Sequence, residues 1–238
     1  MTTIDSIALE QENDNKLTKV LSENEEKVAY KIKISTYYAV KRIFDIICAL
    51  IGLFFMLPIA LVVKIMYICS GDFNSIFYAH TRIGKNGKAF KLYKFRSMVP
   101  NSKEMLEEML KNPKYKKEWD ENQKLENDPR ITKAGKFLRK TSLDEMPQFL
   151  NVLKNDMSLI GPRPLVPGEL DSHKGNHSIY EAVKPGITSW WASHGRSATT
   201  YEERLKLEYY YVQNRSLLLD IKCIFATIKA VLMKTGAK

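Results

Sequence analysis

The chain changes its hydrophobic period several times, and each change marks an element. Residues 1 to about 36 are polar and mixed in charge, with Glu23, Glu25, Glu26, Lys27 and Lys31 close together. That pattern predicts a solvated helix or a loose tail. Lys41-Arg42-Ile43-Phe44-Asp45 then leads into 18 uncharged residues, Ile46 to Val63. At helical rise such a run is about 27 Å long, close to the thickness of a bilayer core. It starts too late for a secretory signal, and no small-residue cleavage site follows. Pro58 sits inside the run and is expected to break or kink it. Basic residues flank both ends, Lys41 and Arg42 before and Lys64 after, so the positive-inside rule gives no orientation. A simple transmembrane helix is the obvious reading of such a run, but the two features together predict a helix that enters one leaflet, turns near Pro58 and leaves on the same side. A buried soluble helix is the weaker alternative.

Beyond Ser70-Gly71-Asp72 the period drops to that of strands. Ile76–Ile83 and Lys88–Phe95 are rich in aromatic and β-branched residues, and Asn86-Gly87 lies between them. This predicts a β-hairpin. Residues 102 to 126 predict an amphipathic helix and a polar linker, with Met105, Leu106, Met109 and Leu110 apolar. Asp128-Pro129-Arg130 marks a turn. From Ser216 to Met233, Leu217, Leu218, Ile221, Ile224, Phe225, Ile228, Val231 and Leu232 stand against Asp220, Lys222 and Lys229. Such a helix packs on a core or lies on a membrane. The expected fold is α+β and mainly helical: a polar extension over 1–40, a re-entrant membrane helix over 41–70, and a cytosolic catalytic domain over 71–238. That domain would carry the hairpin and amphipathic interfacial helices.

Composition narrows the class. Of 238 residues, 45% are hydrophobic, which excludes a disordered chain, and the formal net charge is +10. A basic protein meets nucleic acid, anionic lipid or phosphorylated small molecules, and charge alone does not choose. Cys48, Cys69 and Cys223 sit among apolar neighbours without a CxxC pair, which fits a reducing compartment and no zinc ribbon. His173 and His177 are four apart but flank Gly175, and read as a polar loop. No P-loop, Rossmann or nucleophile-elbow motif occurs.

The candidate chemistry centres on Ser142-Leu143-Asp144-Glu145-Met146-Pro147-Gln148. Lys133, Lys136, Arg139 and Lys140 lead into it, and Leu143, Met146, Leu150 and Leu153 follow at helical spacing. Ser142 and Glu145 have the form of a capping box. Asp144 would then lie in the first turn of a helix, where backbone N–H groups attract anions. Two adjacent carboxylates there suit a divalent metal, an oxygen nucleophile and a second acid/base group. The plain alternative is a helix cap and nothing more. Pro147 falls one residue too late to escape an intrahelical bond, so a distorted first turn is expected. Around it are further cations. Arg82, Lys85, Lys88, Lys91, Lys94 and Arg96 lie in the hairpin with no acid among them, as a solvated charged surface or as a surface for lipid headgroups or a phosphorylated substrate. Pro162-Arg163-Pro164 is a stiff loop holding a guanidinium, suited to forked phosphate binding. Lys184-Pro185-Gly186 leads to Trp190-Trp191 and Gly195-Arg196, where aromatic rings beside cations could stack a base or sit at a membrane interface.

The order of these pieces resembles the bacterial sugar transferase family, the short monotopic phosphoglycosyl transferases. The matching stretches are Lys41-Arg42-Ile43-Phe44-Asp45, Lys91-Leu92-Tyr93-Lys94-Phe95-Arg96-Ser97-Met98, Asp128-Pro129-Arg130-Ile131-Thr132, Thr141 to Gln148, Asp156 to Pro164, and Val183-Lys184-Pro185-Gly186-Ile187-Thr188. The resemblance implies transfer of a sugar 1-phosphate from a UDP-sugar to undecaprenyl (polyprenyl) phosphate, with release of UMP. It implies Asp144 as the nucleophile that carries the phosphosugar, and Glu145 as acid/base or metal-orienting group. Mg²⁺ would be held by Asp144 and Glu145. Lys94, Arg96, Arg139, Arg163 and Arg196 would meet phosphate or substrate, and Pro58, Ser142, Pro162 and Pro164 would be structural. The implied place is the cytoplasmic face of the bacterial inner membrane. The implied partners are UDP-sugar, polyprenyl phosphate and membrane lipid, with no nucleic acid and room for a homo-oligomer. Ser189 and Glu208 stand where the family usually has Gly and Asp, near the part expected to meet the nucleotide sugar. A membrane-attached scaffold without chemistry and, from the +10 charge, a nucleic-acid binder are the rival readings; the Asp144-Glu145 pair speaks against both, and UMP release from a UDP-sugar is expected of the transferase alone.

Overall fold

The computed structural model describes residues 3–122, 125–194 and 199–232. By its internal contacts the chain divides into two units, Met1–Phe44 and Asp45–Lys238. The first unit is helical throughout its described residues, as the first part of α1 (Thr3–Cys69).

Within the second unit, α1 runs helical from Asp45 to Cys69, straight through Pro58. The break expected there is absent. A proline removes one intrahelical donor, and here packing on both sides holds the helix in register. Met56, Val63 and Tyr67 are buried against Ile76, Phe95, Ala134 and Leu138. Ala49 packs with Leu92, Val152 and Met157. The opposite face is bare: Ile47, Leu50, Ile51, Phe54, Phe55, Leu57, Leu61, Val62 and Ile65 are all exposed.

The hairpin forms as expected, β1 (Phe77–Ile83) antiparallel to β2 (Ala89–Phe95), with Arg82 opposite Phe90 and Tyr78 opposite Lys94. Its turn needs left-handed backbone at Asn86 (φ 58) and Gly87 (φ 71), which those two residue types tolerate. The amphipathic stretch after it divides into α2 (Ser102–Met109) and α3 (Pro113–Asn122), the second opening on a proline. Residues 123 and 124 of the expected linker lie outside the described residues. Asp128-Pro129-Arg130 is a buried turn in which the Arg130 guanidinium forks onto Asp128 at 2.6 and 2.8 Å. Next come α4 (Lys133–Thr141), a 3₁₀ turn (Leu143–Glu145) and α5 (Gln148–Leu153).

A short parallel pair follows, β3 (Ser158–Ile160) with β4 (Gly186–Thr188). A Cβ on Gly161 would meet the Lys184 carbonyl oxygen at 2.3 Å, so a side chain there would force the two loops apart. Between these strands lie α6 (Glu169–Ser172) and α7 (His177–Tyr180), and after them α8 (Trp190–His194), α9 (Tyr201–Asn214) and α10 (Leu217–Leu232). Tyr211, Val212, Leu219 and Cys223 of α9 and α10 close a core with Ile160 and Val183. Among the described residues the fold is therefore mainly helical with the hairpin, as expected, and has a second short sheet, β3–β4, that was not. The Ser216–Met233 pattern appears as α10, and Met233 lies outside the described residues.

Candidate active site

The stretch around Asp144 does not form a capping box. Ser142 adopts a left-handed conformation (φ 57, ψ 15) and ends α4, and its side chain makes no cap bond. The chain reverses there, so Asp144 and Glu145 sit in a tight 3₁₀ turn rather than in the first turn of a helix. Pro147 explains why. Its ring lacks a donor and is accepted at the threshold of α5, which starts one residue later at Gln148. The structural role expected of Ser142 is thus a left-handed stop.

Three contacts aim the turn. Asn151 of α5 is fully buried; its Oδ1 accepts from the Tyr93 N–H at 3.0 Å and its Nδ2 donates to the Lys91 carbonyl at 2.6 Å. One side chain therefore completes the hydrogen bonding of β2 on that edge and fixes its register against α5. That register delivers Lys94, whose Nζ is 2.7 Å from Glu145 Oε1 and 3.9 Å from Asp144 Oδ2. Arg139, in the last turn of α4, donates from Nε to Ser97 Oγ at 2.9 Å. The approach of α4 to Ser97 requires Gly135, where a Cβ would lie 1.9 Å from the Ser97 carbonyl oxygen. The side chain of Asp144 is 14% exposed and that of Glu145 is 40% exposed. Burial pushes the Asp144 carboxyl above the usual aspartate range; Lys94 and Arg139 pull it partly back, and Glu145 adds to the rise. A poorly hydrated carboxylate beside fixed cations is an oxygen nucleophile that needs little desolvation before it attacks phosphorus.

Among the described residues no group of three or more His, Cys, Asp and Glu side chains gathers as a metal cage. Two adjacent carboxylates are nevertheless a fitting donor set for Mg²⁺, which is typically held by one or two carboxylates plus substrate phosphates.

The other expected cations are placed differently. Arg96 is buried: Nε donates to the Ser75 carbonyl at 2.8 Å, Nη1 to the Met98 carbonyl at 3.0 Å, and Nη2 pairs with Asp72 at 2.8 Å. Its guanidinium also stacks on Tyr67, 4.4 Å from the ring centre. It clips α1 to the hairpin, with Nη2 facing Asp72 as an ion pair that is not a well-formed hydrogen bond. Arg163 is exposed beside Trp191, with its guanidinium 5.9 Å from the ring centre. Its backbone is clamped on both sides: the N–H donates to the fully buried Glu208 at 3.1 Å and the carbonyl accepts from Tyr180 at 2.9 Å. Pro162 is buried and Pro164 half-buried, consistent with a stiff loop. Burial holds the pKa of Arg82 down, and Arg163 lies close enough to it to help. Arg196 and Gly195 lie outside the described residues.

Sequence reasoning missed Asn151 and Arg204 and gave Asp45, though part of a matching stretch, no role. Asp45 is buried and accepts from Ser158 Oγ at 3.0 Å and from the Leu159 N–H at 2.9 Å. An acid between Lys41-Arg42 and an apolar run was the signal for it. Asn151 and Arg204 gave none.

Residues 36–234 match the model of the family described as bacterial sugar transferase. Over 198 residues the chain is 48% identical to a UDP-galactose-lipid carrier transferase of Erwinia amylovora, and 46% identical to an undecaprenyl-phosphate galactose phosphotransferase of Salmonella typhimurium. Each alignment covers 83% of this chain and 41% of the relative, so the chain spans less than half the length of those proteins. A shorter relative, the exopolysaccharide production protein ExoY of Rhizobium meliloti, is 42% identical over 83% of this chain and 87% of its own length. With the family model covering most of its length, the chain belongs to the bacterial sugar transferase family.

Proposed function

We propose that the protein is a phosphoglycosyl transferase that moves a sugar 1-phosphate from a UDP-sugar to undecaprenyl phosphate through a phosphosugar on Asp144. The observation that carries this reading is the half-buried Asp144 carboxylate beside Lys94, on a turn fixed by Ser142 and Pro147. Relatives named as undecaprenyl-phosphate sugar phosphotransferases support the overall reaction. In the first step an Asp144 oxygen forms a bond to the β-phosphorus. The bond from that phosphorus to the bridging oxygen breaks, and UMP leaves with the electron pair. In the second step an oxygen of the lipid phosphate bonds to the same phosphorus, the Asp144–phosphorus bond breaks, and the carboxylate is restored. Lys94 and Arg139 stand where they would offset charge gathering on the phosphoryl oxygens. Glu145, with the second oxygen of Asp144, would hold Mg²⁺, which supplies Lewis-acid polarisation of the phosphoryl group when bound.

The same reading places the enzyme on one face of a membrane. Asp45, before the apolar run, bonds Ser158 and Leu159; Tyr67, after it, donates to the Arg96 carbonyl. Both ends of the run thus dock on one catalytic body, and the outer face of α1 is bare and apolar. A helix tied at both ends to one body cannot place those ends on opposite sides of a bilayer. This supports a monotopic attachment with α1 lying on one face of the membrane, without the turn at Pro58 that a re-entrant helix needs; the family reading puts that face on the cytoplasmic side of the inner membrane.

The test is mass spectrometry of the protein mixed with UDP-galactose and related UDP-sugars, without lipid. One of them should add a sugar phosphate to the peptide containing Asp144, with UMP released in equal amount, and Asp144→Asn should show neither. Turnover with sequential kinetics and an unmodified Asp144 peptide would sink the covalent step.

A further inference from the structure

His177 stands between two carboxylates. Its Nε2 lies 2.7 Å from Asp171 Oδ1 of α6, and its Nδ1 lies 2.7 Å from Glu181 Oε1, just beyond the end of α7. A neutral imidazole carries one N–H. It can donate to one of these oxygens, and its bare nitrogen would then meet the other lone pair to lone pair. Two such contacts on one ring require the imidazolium. The hydrogen bonds to Asp171 and Glu181 accordingly raise the pKa of His177 above the usual histidine value. The two carboxylates sit at different ring nitrogens, so they bridge through the ring and do not converge on a shared ion. His173, four residues earlier, takes no part: its ring stacks on Tyr201 with the centres 3.5 Å apart.

The bridge ties three pieces of chain together. Asp171 belongs to α6, His177 opens α7, and the Glu181 carbonyl accepts from the Asn86 N–H of the hairpin turn at 2.8 Å. Each of the two short helices in turn supports the proline loop. Glu169 of α6 accepts from the Val166 N–H at 3.0 Å, and Tyr180 of α7 donates to the Arg163 carbonyl at 2.9 Å. Helices of four residues have almost no stability of their own, so contacts with other segments must hold them. Packing beside the bridge is loose. His177 lines an apolar cleft with Ile83, Leu165, Val166, Leu170 and Val183. A segment next to a cleft gives up few contacts when it opens. The charge facing the ring comes from Asp171 on α6 and from Glu181 after α7. The end of β1 and the proline loop meet it across the cleft with Ile83, Leu165 and Val166, which carry no charge.

We propose that Asp171, His177 and Glu181 form a proton-operated staple, which holds α6 and α7 to the hairpin turn while His177 is charged and lets go when the ring loses its proton. Deprotonation leaves one of the two nitrogen–oxygen contacts without a hydrogen, and it removes the cation between two carboxylates. His177 is 48% exposed and Asp171 is 70% exposed, so solvent screens part of the loss and the opening is local. The folded state raises this pKa. The contribution of the staple is therefore whole below about 6.5, the unfolded value, and is lost as pH rises through the higher folded value. Opening withdraws part of the support that Tyr180 gives the Arg163 loop. The staple closes or opens whether or not Asp144 carries a phosphosugar, so it stands apart from the phosphotransfer reading.

The experiment is hydrogen exchange with mass spectrometry on the full chain in lipid nanodiscs, at pH 6, 7, 8 and 9, for wild type, His177→Gln and Asp171→Asn. Rates are corrected for the intrinsic pH dependence of amide exchange. Both substituted side chains are at the surface, so the variants keep the fold. In wild type, peptides covering 166–182 and 84–90 should lose protection by about threefold or more between pH 6 and pH 9, while peptides from α9 stay unchanged. His177→Gln should show the lower protection at every pH, with no step. Asp171→Asn keeps the ring and one partner, so its step should move to lower pH. Equal corrected protection at pH 6 and pH 9 in wild type overturns the inference. So does a step that survives in His177→Gln, or one that Asp171→Asn leaves at the wild-type pH.

Discussion

Glu208→Gln tests the buried carboxyl that holds the Arg163 loop. Glu208 has no exposed surface, and its Oε1 accepts from the Arg163 N–H at 3.1 Å. Burial lifts its pKa from 4.5 to about 7; the bond from Arg163, Ser189 and the charge of Arg204 resist that rise without cancelling it. The native state therefore holds this proton more tightly than the unfolded chain does. Below pH 4.5 the group costs the fold nothing. Between about 4.5 and 7 the unfolded chain gives up the proton first, and stability falls with rising pH. Above 7 the full penalty is present. A shift of about 2.5 units corresponds to roughly 3 kcal/mol, most of it developing between pH 5 and pH 8. Gln keeps the acceptor for Arg163 and has no proton to lose.

The assay is the thermal midpoint of wild type and Glu208→Gln in nanodiscs at pH 5 and pH 8. Titrations common to both proteins cancel in the difference. The variant should gain about 2 to 3 kcal/mol relative to wild type between the two pH values, a relative rise of roughly 5–10 °C for a chain of this size. Any constant cost of burying the amide N–H₂ group shifts both pH values equally. Parallel pH profiles for the two proteins would refute the argument, because they would mean that Glu208 titrates alike in the folded and unfolded chains.

Other consequences are as direct. Asn151→Ala should cost about 2–4 kcal/mol, since it orphans the Tyr93 N–H and the Lys91 carbonyl; chemical denaturation reads it, and an unchanged midpoint contradicts the assignment. Ser142→Gly should be neutral or stabilise by up to about 1 kcal/mol at φ 57, whereas Ser142→Val should lower the melting temperature. In the metal-free protein the Asp144 carboxyl should titrate above the ordinary aspartate range, followed by NMR, because burial raises it; titration at or below that range removes burial as the cause. In a cysteine-free background, Thr36→Cys and Ser70→Cys should be labelled from the same, cytoplasmic side, and labelling of one from the periplasm alone would mean that the run spans.

Much of this was legible in the sequence because it depends on local signals. Asn86-Gly87 between two strand-like runs announces the hairpin, since few residues take the positive φ values it needs. The Asp144-Glu145 pair and its cationic surroundings are visible as charges. What escaped depends on contacts between distant segments. Ser142 and Glu145 have capping-box spacing, but Pro147 moves the helix start to Gln148 and leaves the pair in a 3₁₀ turn. Pro58 reads as a break, yet buried Met56, Val63 and Tyr67 hold the helix across it. Arg96 reads as a phosphate ligand, but it is buried with Nε and Nη1 bonded to Ser75 and Met98 and its charge paired with Asp72, residues whose proximity no period in the chain reveals. Asn151 looks like any polar helix residue until β2 is laid against it.

The clip at Arg96 links membrane attachment to the catalytic turn. Tyr67 near the end of α1 stacks on the Arg96 guanidinium and donates to the Arg96 carbonyl. Arg96 closes β2, which two residues earlier carries Lys94 to Asp144 and Glu145. Tyr67 also lies 3.2 Å from the Thr132 hydroxyl, which caps α4 through the Gly135 N–H, and α4 carries Arg139. Both cations nearest Asp144 thus trace back, through short chains of hydrogen bonds, to one tyrosine on the apolar helix. On the proposed reading, with the bare face of α1 in lipid and its buried face on Tyr67, the helix would set the position of Lys94 and Arg139 relative to the membrane surface. For an enzyme whose proposed acceptor phosphate is fixed at that surface, the position is part of the chemistry, because two reacting phosphates held at mismatched depths lose the advantage of orientation.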